Sequence, residues 1–303
     1  MEPSAEKPAA GLSGLHLLLS YECEFECDHC FVWGAPNQGG AMSGDTITAI
    51  LQQAREFGSI EWIYFEGGEP FLHYPLLCRG ITQANQQGFR VGLVTNAFWA
   101  ESDEIADRQL QPLAGLVEDF SISEDAYHGS DSGLRKTRIA RRAAERLGIP
   151  AGFISVAQPG SPCAGESKVL FRGRAAAKLA ALVPHHPWQQ FSECPWEELR
   201  NPERLHVDAY GNLHVCQGIS IGNLFKRTLT NIMRDYRPDE HPVVGPLLAA
   251  GPAGLVRHHG LSHATDYADA CHLCYDARCR LRARLPEVLA PDQMYGELKS
   301  TGD

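Results

Sequence analysis

The sequence is short of positive charge. Lys and Arg total 27 against 37 Asp and Glu, a formal net charge of -10. Broad nucleic-acid binding needs a basic face, so that class is excluded. An acidic surface suits cationic small substrates and solubility alike. Also missing is any run of ~18 apolar residues, which excludes a helical membrane span. The opening "MEPSAEKPAAGLSG" lacks the charged-then-apolar order of a signal peptide and reads as a tail, so a cytoplasmic location is expected. Internal repeats and long low-complexity segments are absent too.

Cysteine is plentiful by contrast: ten residues, clustered as "CEFECDHC" and "CHLCYDARC". Clustered thiols in a reducing compartment point to metal or redox chemistry rather than to disulfides.

The first half alternates strand and helix signals. Apolar runs at 15–21, 60–65, 90–96, 117–123 and 150–157 are separated by amphipathic segments, the first with Asp45 as expected N-cap and Gly58 as stop. This alternation predicts parallel βα units, in a partial (β/α) barrel or a doubly wound sheet, with ligands at the carboxyl ends of the strands. The polar motifs fall at those ends: the cysteine loop after the first strand, "EGGEP" after the second, "TNAF" after the third and "SISEDAYH" at the fourth. Beyond about residue 185 the pattern changes, with a hairpin signal in "RLHVDAYGNLHVCQG" and three further helical segments. The expected divisions are a tail at 1–14, a barrel at 15–185, a second cysteine-bearing unit at 186–285 and a tail at 286–303.

Cys23, Cys27 and Cys30 form C-x3-C-x2-C on one loop. Thiolates favour zinc or iron–sulfur clusters. Zinc asks for a fourth ligand, such as His29 or a remote residue. A cubane held by three cysteines leaves one iron free for a small molecule.

This motif, with His29 before its last cysteine and with Gly67, Gly68, Glu69 and Pro70 after the second strand, resembles the radical S-adenosylmethionine (SAM) superfamily over roughly residues 15–180. The resemblance implies an α/β fold built as a partial (β/α)6 barrel. It implies a [4Fe-4S] cluster on Cys23, Cys27 and Cys30, with SAM on the open iron. Reductive cleavage of SAM then gives a 5′-deoxyadenosyl radical that takes a hydrogen atom from a substrate carbon. The glycines of "GGEP" let backbone approach the methionine moiety, and Glu69 accepts from its amino group. Ser123 is expected at the SAM ribose, with Ser121 and Glu124 competing, and Asn96 and Arg174 are further SAM-contact candidates. Trp33 shields the cluster from water.

Cys194, Cys216, Cys271 and Cys274 resemble the auxiliary-cluster ligands of twitch/SPASM domains and imply a second [4Fe-4S] cluster. Cys279 is a substitute ligand, and structural zinc is the alternative. Cys163 and Cys279 are candidate hydrogen donors to a substrate radical, Asp125 and His128 candidate substrate contacts or bases. Cys78 is expected in the core. The expected reaction is epimerisation of a sugar, aminocyclitol or aminoglycoside. Dehydrogenation using the auxiliary cluster is the alternative, then peptide modification, then a non-catalytic metal scaffold. A flavodoxin or ferredoxin is the implied electron donor.

Overall fold

A computed structural model describes residues 11–128, 131–161 and 165–297. Five strands alternate with helices: β1 (Gly14–Leu18), α1 (Gly44–Phe57), β2 (Trp62–Glu66), α2 (Tyr74–Gln86), β3 (Arg90–Thr95), α3 (Asp103–Leu110), β4 (Asp119–Ser123), α4 (Asp131–Arg146) and β5 (Ala151–Ile154). Each strand pairs in parallel with the next. A sixth unit is reduced to one parallel bridge, Val156 to Ser167, after a loop rich in Pro and Gly. Short α5 (Arg174–Lys178) follows.

Alternation along the strands gives the sheet two unlike faces. Leu15, Leu17, Ile63, Phe65, Val91, Leu93, Phe120 and Ile122 are fully buried under the helices. α1 meets them with Ile47, Ile50, Leu51 and Ala54, one helical stripe. Burying each such side chain contributes roughly 1.5–3 kcal/mol. Truncating the fully buried Phe65 to Ala costs about 3–5 kcal/mol. The N-cap of α1 is Ser43, not Asp45: its hydroxyl accepts from the Thr46 amide, and Asp45 sits in the first turn.

The second half completes the same sheet. β6 (His186–Pro187) and β10 (Asp266–Tyr267) form a separate two-strand ladder. β7 (Arg204–Val207), β8 (Asn212–Cys216) and β9 (Ile219–Asn223) extend the large sheet past β1, giving the order β5-β4-β3-β2-β1-β7-β8-β9. β7 runs parallel to β1, with His16 opposite His206, and the β7–β8 hairpin is antiparallel. α6 (Leu229–Asp235), α7 (Val244–His259) and α8 (Ala270–Leu281) pack over this half. α7 breaks at Ala250 and Gly251, just before Pro252, which cannot continue the hydrogen-bond ladder. Among the described residues, no helix is long and apolar enough to cross a membrane.

Candidate active site and thiol cavity

The carboxyl ends of β1 to β5 surround a cavity of about 270 Å³. Cys23, Cys27 and Cys30 line it, with Gly67, Gly68, Asn96, Ser123, Asp125 and His128. Burial pushes the Cys27 thiol up to about 12 and raises Cys23 further. Both stay protonated until a metal takes the thiolate. Two donors already address the sulfurs: the Gly34 amide donates to Cys30 Sγ at 3.2 Å, and Asn96 Nδ2 lies 3.6 Å from Cys23 Sγ. Three soft ligands on one loop, with N–H groups at their sulfurs and open space in front, fit a cluster.

The glycines of "GGEP" line the cavity and also meet the start of the cysteine loop. The Gly68 amide donates to the Ser20 carbonyl at 2.7 Å, and the Glu69 amide to Glu22 at 2.9 Å. A Cβ on Gly68 would lie 1.9 Å from the Glu22 oxygen. Glycine is therefore needed where the β2 turn lies against the start of the cysteine loop. This contact sets the loop's position while the turn forms the cavity wall.

Glu69 is engaged by the protein itself. It is buried and does not line the cavity. Its carboxylate accepts from the Phe71 amide (3.0 Å), the Thr95 hydroxyl (2.8 Å) and the Asn96 amide (2.8 Å). Thr95 Oγ1 in turn accepts from Trp99 Nε1 at 3.0 Å. Burial and the nearby Glu24 push the Glu69 carboxyl up to about 8, against donors that favour the carboxylate. Glu69 thus ties the end of β2 to the end of β3 and positions Asn96. Pro70 opens the following short turn and is buried, also off the cavity.

Ser123 lines the cavity. Ser121, two residues earlier on the same face, lies deeper and donates to Asp119 at 3.1 Å. Glu124 accepts from the Thr137 hydroxyl. Arg174 is buried and off the cavity, held by the cysteine loop. It donates to the carbonyls of Cys27 and Gly34, both at 2.8 Å, and its guanidinium lies 5.3 Å from the Trp33 ring. Asp125 accepts from His128 Nδ1 at 2.7 Å and from the Tyr127 and Val156 amides. Although burial opposes it, His128 beside Asp125 holds the carboxyl below its ordinary range. The His29 ring stacks on Tyr127 at 4.4 Å, and its Nε2 lies 3.8 Å from Asp125.

A polar cluster that sequence reasoning missed lies on the inner face of the strands. Glu66 at the end of β2 lines the cavity. One carboxylate oxygen meets His16 Nδ1 at 3.2 Å, the other His206 Nε2 at 3.3 Å. Tyr64 stacks on His16 at 4.5 Å and donates to Asp119 at 2.8 Å. The period-2 spacing of Tyr64 and Glu66 was readable, but their partnership with His206 required the β1–β7 pairing.

Cys194, Cys216, Cys271 and Cys274 converge on a second, smaller cavity, with Leu199, Ile219 and Leu247 among its apolar walls. The four come from a loop before β7, the end of β8 and the first turns of α8. Arg172, also missed in the sequence, donates to Cys216 Sγ at 3.3 Å and to Glu197 at 3.1 Å. Arg278 lines the same cavity and donates to the Gln217 carbonyl at 2.7 Å. Four thiols beside the buried Arg278 and the half-buried Arg172 fit a metal centre carrying negative charge. Cys279 is exposed and lines neither cavity, which removes it both as a substitute ligand and as a hydrogen donor to the first cavity. Cys163 lies outside the described residues. Cys78 is half-buried against the core.

Polar motifs at the carboxyl ends of parallel strands, with three cysteines on one loop, are an arrangement suited to holding a cluster at that rim. Residues 17–146 match the Radical SAM superfamily. Over these residues, less than half of its length, the chain is similar to that superfamily. It is 31% identical over 107 residues to the tungsten-containing aldehyde ferredoxin oxidoreductase cofactor-modifying protein of Pyrococcus furiosus, covering 35% of this chain and 28% of the relative. It is 28% identical over 111 residues to the putative peptide biosynthesis protein YydG of Bacillus subtilis, covering 36% of this chain and 35% of the relative. The chain thus spans about a third of the length of these curated relatives. Among solved structures, BtrN in complex with AdoMet and 2-DOIA has a TM-score of 0.56 at 17% identity, covering 88% of this chain and 92% of that one. Native anSMEcpe with bound AdoMet and Cp18Cys peptide has a TM-score of 0.50 at 12% identity, covering 92% and 98%. At these identities the likeness is one of fold.

Proposed function

We propose that this protein cleaves SAM at the Cys23, Cys27 and Cys30 site and abstracts a hydrogen atom from a carbon of a small polar substrate. The convergence of the three thiols and the Gly67–Gly68 turn on one cavity carries this reading. When bound, the cluster and SAM supply one electron and the 5′-deoxyadenosyl radical. Gly68 and Arg174 hold the cysteine loop, Glu69 holds Asn96 at the rim, and Ser123 offers a hydroxyl to the nucleoside. Glu66, backed by His16 and His206, gives the cavity floor a carboxylate suited to hydroxyl or amine groups of a sugar or aminocyclitol. The name of the Bacillus relative suggests a peptide as the alternative substrate.

The second cavity is proposed to hold an auxiliary [4Fe-4S] cluster on Cys194, Cys216, Cys271 and Cys274. With Cys279 outside the first cavity, dehydrogenation now stands ahead of epimerisation. Cys194, Cys216, Cys271 and Cys274 would hold the cluster that supplies an acceptor for the second electron, while Glu66, kept a carboxylate by His16 and His206, would hold a substrate hydroxyl or amine. A flavodoxin or ferredoxin is the proposed source of the first electron. Turnover of a sugar-amine panel in deuterated water separates the outcomes: loss of two hydrogens supports dehydrogenation, and one deuterium at an inverted carbon supports epimerisation through Cys163. A reduced, reconstituted protein that forms no 5′-deoxyadenosine refutes the reading altogether.

A further inference from the structure

Trp33 follows the last cysteine of the first loop by three residues, and Tyr275 follows Cys274 by one. Across 242 residues of sequence, Trp33 Nε1 donates to Tyr275 Oη at 2.8 Å. The backbone of Trp33 has φ 58°, a left-handed conformation that a bulky residue adopts only where its surroundings enforce it. Those surroundings are specific. Arg174 lies against the indole, Gln38 Nε2 donates to the Trp33 carbonyl at 3.1 Å, and Gly296 packs so closely that a Cβ there would sit 2.9 Å from the ring. On the other side, Tyr275 stacks on Tyr295 at 5.7 Å, and the Tyr295 hydroxyl donates to the Gly218 carbonyl at 2.6 Å, two residues past Cys216. Shielding the first site from water requires a large apolar ring, but neither its N–H bond nor its strained backbone.

We propose that the Trp33–Tyr275 hydrogen bond is the route by which electrons pass between the two iron–sulfur sites. This rests on the proposed function, since both clusters must be present. Tunnelling weakens steeply across through-space gaps and much less along covalent and hydrogen-bonded links. Here the chain Cys30 to Trp33, the 2.8 Å bond, and Tyr275 to Cys274 is continuous. In the transfer, the auxiliary cluster goes from its one-electron-reduced to its oxidised state as the first cluster goes from oxidised to reduced, and no proton moves. An electron gained from substrate is thereby returned for the next SAM cleavage.

The test uses the reconstituted protein with SAM bound and no substrate. Substoichiometric photoreduction is followed by freeze-quench electron paramagnetic resonance, reading the redistribution of the electron between the two cluster signals. Tyr275→Phe removes only the hydroxyl, and Trp33→Phe removes the N–H. Each is expected to slow redistribution at least tenfold with both cluster signals and the iron content unchanged. The double variant is expected to be no slower than either single one, because both break the same link. Redistribution at the parent rate in Tyr275→Phe overturns the proposal, as does slowing that tracks loss of iron in both variants. A parent protein with only one cluster signal overturns the auxiliary-cluster reading itself, a distinct result.

Discussion

Arg174 grips the cysteine loop from α5, donating to the carbonyls of Cys27 and Gly34 at 2.8 Å each. The loop is irregular, so its shape depends on such external bonds. Charge-assisted hydrogen bonds contribute about 1.5–3 kcal/mol each. Arg174→Ala should therefore cost about 2–4 kcal/mol of loop stability. Iron analysis after reconstitution should show the first cluster lost and the second retained. Arg174→Lys should recover only part, because a single ammonium cannot span both carbonyls as the planar guanidinium does.

Gly68→Ala tests the contact between the two signature motifs. With the added methyl 1.9 Å from the Glu22 oxygen, either the β2 turn or the cysteine loop must move. The expected result is retained helical circular dichroism with at least tenfold weaker iron loading at the first site. Normal loading would show that the loop tolerates the displacement.

The inner-face cluster predicts a pH dependence. Burial, opposed by Glu66, lowers His206 to about 3, so it is neutral in the folded protein. His16, His214 and Arg204 also face it and disfavour its protonation. The unfolded chain takes up this proton near the ordinary value of about 6.5. Between those values the unfolded state binds more protons, so stability falls as pH falls, by up to about 1.4 kcal/mol per pH unit. Glu66, lowered to about 2, adds the same sign below about 4.5. Chemical denaturation of the parent at pH 7 and pH 5.5 should show this loss, and His206→Gln should show a shallower one. Equal slopes would mean His206 does not report the cluster.

Arg172 lies against Cys216 and Glu197 in the second cavity. Arg172→Gln removes a half-buried cation beside the centre, so reduction should become harder. A redox titration should find the second cluster's potential lowered and the first one unchanged. An unmoved second potential would argue that the arginine serves Glu197 alone.

Much of this was legible in the sequence because it is local. C-x3-C-x2-C, the "GGEP" turn and the alternation of strands need only neighbouring residues, and each of the five strands overlaps its apolar run, β1 starting one residue before and β2 ending one residue after. The partners were not legible. Glu69 and Arg174 were expected at SAM, yet their polar atoms are taken by Asn96, Thr95, Cys27 and Gly34, contacts set by how loops stack at the barrel rim. His16, Glu66 and His206 come from three strands, and β7 beside β1 is a pairing across nearly the whole chain that no short motif encodes. Trp33 read as a simple shield because Tyr275 lies far away in sequence.

The most direct test of the central claim is anaerobic reconstitution followed by reduction with SAM present, measuring iron and 5′-deoxyadenosine together. About eight irons per chain are expected, two cubanes' worth, with 5′-deoxyadenosine formed by the parent and abolished in Cys27→Ala, which should keep about four. Four-thiolate zinc in the second cavity would contradict the auxiliary cluster. No 5′-deoxyadenosine from a protein whose first site is fully loaded with iron would contradict the claim itself.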